Sequence, residues 1–514
     1  MYDTKYYSNK YKMIFYDDVL FNNSSIDEET FYDMIEYVLE TMEQFVKDYP
    51  ETIARPNFDE IFRTNIKCMF DIQYYPDNID KFPYNVYEDT LDSYDSIFDI
   101  IYKYCQLIFH NTIIPRRSYS TTFVRVEPNV TIISKKLDYI INLPQPTQRT
   151  SEWYKYRHEL ITASNAWKVF ESIKTQNQLI CEKCKPLILN TPADDSNNHN
   201  KKTVQMDSPL HWGNKYEDVS VMVYEHFNKT HIDDFGCIRH PNYPCLGASP
   251  DGICNDPLSQ IYGRMLEIKN VVSRQINGIP KKEYWIQMQL QMEVCNLNEC
   301  DFLETKFIEY ETEQAFVNDD GFKQYVNEEN HYIQFKDFKD YKGVKGIMLC
   351  FIENGSPIYY YAPLFIKFDE FIKWSDSLLE EKERLGHTYF KTIYWKLEEI
   401  SCILVLRNKL WFDTAIPKIV NLWKIILNER THGYEHRLPK QKPKKQAEIK
   451  MENHIDPSLL DEMNETNETN ETNSLTTNLS NSTLKISNAC EINISGIYNY
   501  TRSRSSTIVS DCDN

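Results

Sequence analysis

Asp251 and the tetrapeptide Leu266–Lys269 constrain the fold of this chain more than any other stretch. In the tetrapeptide, two apolar residues alternate with Glu267 and Lys269, which is the period-2 pattern of a half-buried strand. Glu267 and Lys269 would then share one face, about 6–7 Å apart along the strand. Asp251 precedes a glycine in a turn, from which a neighbouring strand could bring it to the same place. An acid-x-Lys tripeptide alone is more often an exposed strand face, so the interpretation depends on the rest of the chain.

Three further stretches accompany this pair in a fixed order. They are Arg157–Ser164 (RHELITAS), Gly213–Glu217 (GNKYE) and Ser249–Gly252 (SPDG). Cutting a phosphodiester needs carboxylates that hold a hard divalent cation, and a cation or base beside the attacking water. The ordered set therefore predicts a metal-dependent nuclease.

These stretches make the chain resemble the lambda-type exonuclease or YqaJ-like viral recombinase family, within the PD-(D/E)XK nuclease fold. The blocks that carry the resemblance are Trp153–Arg157 with Ile161–Ser164, Gly213 with Glu217, Ser249–Gly252, Glu267 with Lys269, and Tyr284 with Gln287 and Gln289. They lie within residues 148–310. The long acidic region before them looks more like the members found in large DNA viruses than the compact phage enzymes.

The resemblance implies an α/β fold, with a restriction-endonuclease-like core of a central mixed β-sheet flanked by helices. It implies Mg²⁺ as the cofactor, with Mn²⁺ as a substitute. The catalytic residues that it implies are Asp251, Glu267, Lys269 and Gln287. The metal ligands that it implies are Glu217, Asp251, Glu267 and the backbone carbonyl of Ile268. The residues that it implies for the 5′-terminal phosphate and DNA are Arg157, Ser164, Ser249 and Tyr284.

The implied activity is 5′→3′ exonuclease action on double-stranded DNA ends, in viral recombination or end processing. An endonuclease on the same fold stays open, as does a catalytically silent DNA-binding or scaffold protein. A single-strand annealing protein and a homo-oligomer are further candidate partners. The phage member has an additional acid eight residues before its SPDG serine, where this chain has Pro241. Whether one or two metal ions bind is therefore open.

The 5′-phosphate pocket has a physical argument of its own. Thr162-Ala163-Ser164 is typical of a helix start, where free N–H groups attract an anion. Arg157 could add a bidentate contact. In the alternative, Arg157 pairs with Glu152 or Glu159 and Ser164 is an ordinary cap.

Residues 284–294 give two conflicting signals. Apolar residues alternate strictly there, which by period alone indicates a strand. Gln, Met, Leu and Glu are good helix formers, however, and the family has a helix in this place. We expect a helix, with Tyr284, Gln287 and Gln291 on the face towards the active site.

Composition divides the chain into three parts. Residues 1–147 form an acidic, mostly helical region of unknown role, with amphipathic patterns at 29–45 and 91–109. Residues 148–435 form the predicted nuclease domain, whose second half alternates strands and helices. Residues 436–514 begin with a basic run at 440–445, better interpreted as a solvated linker than as a nuclear address. The Asn/Ser/Thr-rich tail that follows is expected to be disordered.

The net charge of −19 argues against a nucleic-acid enzyme. Residues 151–310, however, carry 17 Lys and Arg against 21 Asp and Glu, and several of those acids would bind metal. Phosphate binding must therefore come from a local cleft. The candidates are Lys168, Arg264, Arg274, Lys281 and Lys282.

The compartment is predicted from what the sequence lacks. No 18-residue apolar run is present and the start has no apolar signal region, so we expect neither a membrane segment nor secretion. Thirteen cysteines without a framework spacing indicate an intracellular protein, in the host cytoplasm or at a viral replication site. Cys181 and Cys184 have zinc-ligand spacing, but a second pair is missing, so zinc is disfavoured and an iron–sulfur cluster more so.

Overall fold

A computed structural model describes residues 28–74, 94–120, 129–148, 150–187, 208–319, 337–353 and 355–439, with residues 123 and 206. The basic run and the tail predicted to be disordered lie at 440–514, outside the described residues. No helix among the described residues is long and apolar enough to cross a membrane.

The N-terminal region is helical where it is described. Its helices are α1 (Glu28–Asp48), α2 (Phe58–Tyr74), α3 (Tyr94–Thr112) and α4 (Val130–Ile141). The amphipathic patterns predicted at 29–45 and 91–109 correspond to α1 and α3, which confirms them for the described residues. The helices pack through aromatic side chains, as in the stacked pair Phe62 and Phe109, whose ring centres are 4.9 Å apart.

The centre of the molecule is a mixed β-sheet. Its strands, and those of a small second sheet, are β1 (Tyr119–Ser120), β2 (Ile161–Thr162), β3 (Ile232–Asp233), β4 (Ile238–Arg239), β5 (Leu246–Ala248), β6 (Gly252–Cys254), β7 (Met265–Asn270), β8 (Glu299–Glu309), β9 (Lys345–Glu353), β10 (Ser356–Tyr361) and β11 (Thr388–Leu406). The main sheet has the order β10-β9-β11-β8-β7-β6-β3, with β1 paired to β11. β7 and β8 run parallel, and the other pairs are antiparallel. The small sheet has the order β2-β5-β4.

Helices flank this sheet. They are α5 (Ser151–His158), α6 (Ala163–Ala166), α7 (Ile173–Cys184), α8 (Pro209–Asn228), α9 (Lys282–Cys295), α10 (Glu313–Asn318), α11 (Phe368–Arg384) and α12 (Lys409–His432). The expected α/β core, a mixed sheet flanked by helices, is therefore confirmed. β10 ends at Tyr361, and α11 begins at Phe368.

The conflict over residues 284–294 is resolved in favour of a helix, α9. Most residues of α9 are buried, from Trp285 through Cys295 with Gln287 as the exception. A helix surrounded by protein on nearly all sides need not show an amphipathic period. The strict alternation of apolar residues therefore carried no information about secondary structure here.

One hydrophobic core joins the N-terminal helices to the nuclease half. It contains Ile53 and Phe58 from the N-terminal region together with Ile286 of α9 and Ile419 of α12. Trp395 and Trp411 are buried, with 1% and 2% of their surface exposed. Gly346 is required beside Trp395, because a Cβ on Gly346 would lie 2.2 Å from the indole ring.

Candidate active site

A cleft of about 520 Å³ opens between α8, the end of β7 and the start of α9. The predicted site residues that line it are Glu217, Asp251, Ile268, Lys269 and Tyr284. Gly213 and Arg274 line it too. The apolar side chains of Leu210 and Val272 stand at its wall, 78% and 47% exposed. The structure thus brings the predicted metal ligands and the predicted lysine together.

Asp251 reaches the cleft from the turn between β5 and β6. Because β6 pairs antiparallel with β7, that turn lies beside the end of the Glu-x-Lys strand. The Asp251 carboxylate accepts a hydrogen bond from the backbone N–H of Ile268, with 2.7 Å between nitrogen and Oδ2. Gly252 keeps the turn close to β3, since a Cβ there would lie 2.1 Å from Cγ2 of Ile232.

Glu267 is fully buried beneath the cleft. Its Oε1 contacts the ammonium group of Lys269. Its Oε2 accepts a hydrogen bond of 2.7 Å from Nε2 of Gln291. Both oxygens of the carboxylate are therefore held in fixed positions.

Gln291 is the residue of α9 that contacts this acid. Its amide nitrogen also lies 3.3 Å from the carbonyl of Ser249. The catalytic role predicted for Gln287 stays a prediction, because no hydrogen bond among the described residues joins Gln287 to Lys269 or Glu267. The predicted α9 face included Gln291, but nothing in the sequence distinguished it from Gln287.

Tyr284 forms a wall beside Lys269. The Lys269 ammonium nitrogen lies 5.1 Å from the centre of the Tyr284 ring, and the Arg274 guanidinium lies 5.7 Å from it. Arg274 also pairs with Glu304, a buried acid on β8. Two cations therefore border one aromatic ring at the cleft.

The charges of these groups act on one another. The loss of water around Asp251 and the nearby charge of Glu267 raise the pKa of Asp251 well above its ordinary value, and Glu217 acts in the same direction. For Lys269, the loss of water lowers the pKa, but the adjacent carboxylates of Glu267 and Asp251 together raise it. Lys269 is accordingly an ammonium ion, and the site carries more negative charge than it can neutralise.

A divalent cation fits the chemistry of this donor set. Carboxylates and a backbone carbonyl are oxygen ligands of the kind that Mg²⁺ takes, and Asp251 and Glu267 are forced together in a site poor in water. In the described residues, no group of three or more His, Cys, Asp or Glu side chains is already arranged around a common point.

The candidate site lies within a stretch that matches a known family. Residues 152–298 match the model of the YqaJ-like viral recombinase domain. That span contains the whole set from Arg157 to Gln291. The chain is thus similar to this family over residues 152–298.

Individual proteins with similarity to this chain were also found. An uncharacterized protein of Acanthamoeba polyphaga mimivirus is 29% identical over 383 residues, and the match covers 69% of this chain and 62% of that protein. The chain thus spans less than two thirds of the mimivirus protein. Two crystal structures of LHK-Exo, an alkaline exonuclease from Laribacter hongkongensis, one with dAMP bound, share 17% identity with this chain. They cover 56% of this chain and 95% of their own, with TM-scores of 0.27 and 0.28.

Within the YqaJ-like domain, Arg157 lies near Ser249. The Arg157 guanidinium lies 4.4 Å from the ring centre of Trp153. Burial raises the pKa of the Cys237 thiol, while Arg157 and the hydroxyl of Ser249, both beside the thiol, oppose the rise. Cys237 therefore marks the place where these two predicted residues meet, and nothing in the sequence singled it out.

The alternative in which Arg157 pairs with its own helix is not what the structure shows. Glu159 pairs with Arg430 at 2.9 Å and with His158 at 3.1 Å. Among the described ion pairs, none joins Arg157 to Glu152 or Glu159. Arg157 instead stacks on Trp153 and lies beside the Cys237 thiol.

Ser164 lies in the first turn of α6, as predicted. Its hydroxyl is 3.1 Å from that of Thr162. Helix α6 has only four residues, so its dipole is small. The case for an anion here rests on Arg157 more than on the helix start.

The five cations suggested for phosphate binding differ in their surroundings. Lys168 pairs with Glu182 at 3.0 Å, and Lys282 pairs with Glu171 at 2.7 Å. Arg264 is 4% exposed and pairs with Asp301 at 3.0 Å, so it stabilises the fold. Lys281 is exposed, and Arg274 is the member of the set that lines the cleft.

Proposed function

We propose that the protein is a Mg²⁺-dependent DNA nuclease, and specifically a 5′→3′ exonuclease that degrades double-stranded DNA from its ends in viral recombination or end processing. The observation that carries the proposal is the cleft of the YqaJ-like domain, where Asp251, Glu267 and Lys269 meet. LHK-Exo is an alkaline exonuclease. That this chain has exonuclease activity too is part of the proposal.

Asp251, Glu267 and the carbonyl of Ile268 would hold the cation, with Glu217 as an outer or second ligand. When bound, the cation supplies the Lewis-acid chemistry that phosphodiester hydrolysis needs. Asp251 keeps one oxygen on the N–H of Ile268, which leaves the other as the candidate ligand atom. Gln291 fixes the orientation of Glu267, which is the task of a group that supports a metal ligand.

Lys269 would act through its positive charge. The carboxylates beside it raise its pKa, and this favours an ammonium group that orients the attacking water and stabilises charge developing on the phosphate. Removing a proton from that water is the weaker role, because it requires the amine to be neutral. Tyr284 limits where the ammonium group can move.

Arg157, Ser164 and Ser249 would bind the 5′-terminal phosphate. A guanidinium can hold two phosphate oxygens at once, and Ser249 lies close along the chain to Asp251. Such a pocket would place the first phosphodiester of a DNA end at the cleft and give the enzyme its direction. A single-strand annealing protein, a homo-oligomer and an intracellular location remain predictions attached to this proposal.

The decisive experiment compares linear duplexes that differ only at their 5′ ends. With Mg²⁺, a 5′-phosphorylated duplex should be degraded at least about tenfold faster than its 5′-hydroxyl counterpart, since a charged contact contributes about 1.5–3 kcal/mol. Arg157→Ala should remove most of that difference. Lys155→Ala, which removes an exposed cation from the same helix, should preserve it.

Closed circular DNA separates the alternatives. An exonuclease leaves it intact, whereas cleavage of circles at the rate of linear DNA would identify an endonuclease. Equal rates on both 5′ ends would refute the 5′-phosphate pocket. Absence of any cleavage with Mg²⁺ or Mn²⁺ would refute the nuclease proposal in favour of a silent DNA-binding protein.

A further inference from the structure

Arg117 connects the N-terminal helices to the entrance of helix α9. It follows α3 and is 6% exposed. Its Nη1 donates to the carbonyl of Ile53 at 3.0 Å, and its Nη2 donates to the carbonyl of Pro280 at 2.7 Å. The guanidinium also lies 5.5 Å from the ring centre of Trp285. One buried side chain thus spans from the turn between α1 and α2 to the segment that leads into α9.

Helix α9 depends on such external contacts at its start. Its N-cap residue, Lys281, makes no side-chain capping hydrogen bond. Lys282 is held by Glu171 at 2.7 Å. Trp285 is buried and meets the ring of Trp411 edge-on at 5.2 Å. The first turn of α9 is therefore fixed by Arg117 on one side and by this ion pair and ring contact on the others.

The same helix carries groups that touch the candidate catalytic residues. Tyr284, in the first turn, lies against Lys269. Gln291, about two turns later, donates to Glu267. A shift of the first turn would move the aromatic wall away from the lysine and tilt the glutamine that orients the acid. Misplacement of catalytic groups by about 1 Å can lower a rate by about 10²-fold.

We propose that Arg117 is a positioning residue for DNA cleavage. By holding the carbonyl of Pro280, it sets helix α9 in the place where Tyr284 and Gln291 support Lys269 and Glu267. The inference rests on the proposed nuclease function. It makes the N-terminal helices, for which the sequence offered no chemical motif, part of the scaffold of the active site.

The test uses Arg117→Lys in the full chain. Lysine keeps the charge, but a single ammonium cannot reproduce the fork that joins two carbonyls. Two quantities are measured: kcat and KM on a 5′-phosphorylated linear duplex, and amide hydrogen exchange of residues 282–286. We expect kcat to fall by about tenfold or more with KM nearly unchanged, and exchange in this first turn to accelerate.

Arg63→Met is the matched control. Arg63 is an exposed arginine of the same region, and its pairing with Asp99 at 2.6 Å joins α2 to α3 without contacting α9. It should change neither kcat nor exchange at 282–286. Arg117→Met gives a second measure of the lost guanidinium. If it fails to fold, the comparison of Arg117→Lys with the control still decides.

Three results separate the possibilities. Wild-type kcat and unchanged exchange at 282–286 in Arg117→Lys would overturn the proposal. A loss of stability with unchanged kcat per folded molecule would overturn it too, because it shows a structural role only. If the wild-type protein cleaves no DNA, the nuclease function fails. The exchange measurement would then still show whether Arg117 holds the start of α9.

Discussion

Replacing Gln291 with methionine tests whether the contact that holds Glu267 is needed for cleavage. Gln291 is fully buried and donates to Oε2 of Glu267 at 2.7 Å. Methionine has a similar length and volume but no amide, so it would fill the space and remove the hydrogen bond. Glu267 would then keep only its contact with Lys269.

The expected loss follows from the nature of the bond. A hydrogen bond to a charged group contributes about 1.5–3 kcal/mol, and a buried carboxylate oxygen left without a partner adds a desolvation cost. Changing a residue that orients a metal ligand typically lowers metal affinity or activity by about 10–100-fold. We therefore expect Gln291→Met to lower kcat/KM by about 10–100-fold and to raise the Mg²⁺ concentration needed for half-maximal rate.

Gln289→Met is the matched control for this prediction. Gln289 is equally buried on the same helix, but it bonds to backbone groups: its Nε2 donates to Leu406 O at 3.0 Å and its Oε1 accepts from Asn408 N at 2.7 Å. Losing two neutral bonds should destabilise the start of α12 by about 1–3 kcal/mol without touching the cleft. Rates are compared per folded molecule, well below the unfolding transition of each variant. Equal rates for the two variants would refute the argument.

Four other substitutions have definite expected results. Glu267→Ala should abolish cleavage, and Lys269→Met should lower its rate by at least about 10²-fold. Circular dichroism should show that both variants are folded. Near-normal rates in either variant would refute the site assignment. Gly213→Ala should raise the free energy of unfolding by up to about 1 kcal/mol, because a Cβ there meets nothing within 4 Å. It should nevertheless slow cleavage, because the new methyl group would project into the cleft that Gly213 lines. Unchanged kinetics would show that DNA does not approach this position. Burial lowers the pKa of His240 from 6.5 to about 4, so between these pH values His240 is protonated in the unfolded chain and neutral in the folded one. Urea unfolding should therefore show about 1.4 kcal/mol of stability lost per pH unit as the pH falls through that window. His240→Asn should reduce this loss.

The sequence located the charged residues of the candidate site better than the residues that support them. Phosphodiester hydrolysis requires two acids and a lysine close together, here on two adjacent strands. The sequence could therefore identify Asp251, Glu267 and Lys269. Gln291 could not be separated from Gln287, since both lie on one face of α9 and only the rotation of that helix against β7 decides which one reaches the acid. Rotation of a buried helix depends on packing, and no local pattern encodes it.

The longest strand of the sheet was also missed. Residues 388–406 form β11, which pairs with both β8 and β9, and the sequence analysis had not identified this strand. The register of β11 shifts between Tyr389 and Lys391 against β9, and between Leu397 and Glu399 against β8. Each such bulge resets which side chains face the core, so no single alternation runs through the strand.

The role of Arg264 could not be predicted from the local sequence. As a basic residue next to the Glu-x-Lys strand it was a candidate for binding phosphate, but it is buried against Asp301 and Glu299 of β8. β8 runs parallel to β7 and is separated from it along the chain by α9. The partners of Arg264 are therefore fixed by a long-range strand pairing that the local sequence does not show.

The acidity of the chain at first counts against a nucleic-acid enzyme, but three of its carboxylates meet at the cleft. Asp251, Glu267 and Glu217 approach one another there, and the cations that face them are Lys269 and Arg274, of which Arg274 already pairs with Glu304. The loss of water around Asp251, and after it the nearby charges of Glu267 and Glu217, raise the pKa of Asp251, so keeping these acids ionised together costs free energy. A bound divalent cation would remove that cost and turn an acidic cleft into one that a phosphate can enter. The same carboxylates that lower the net charge of the protein are thus the groups that would let it bind DNA, and only in the presence of the metal.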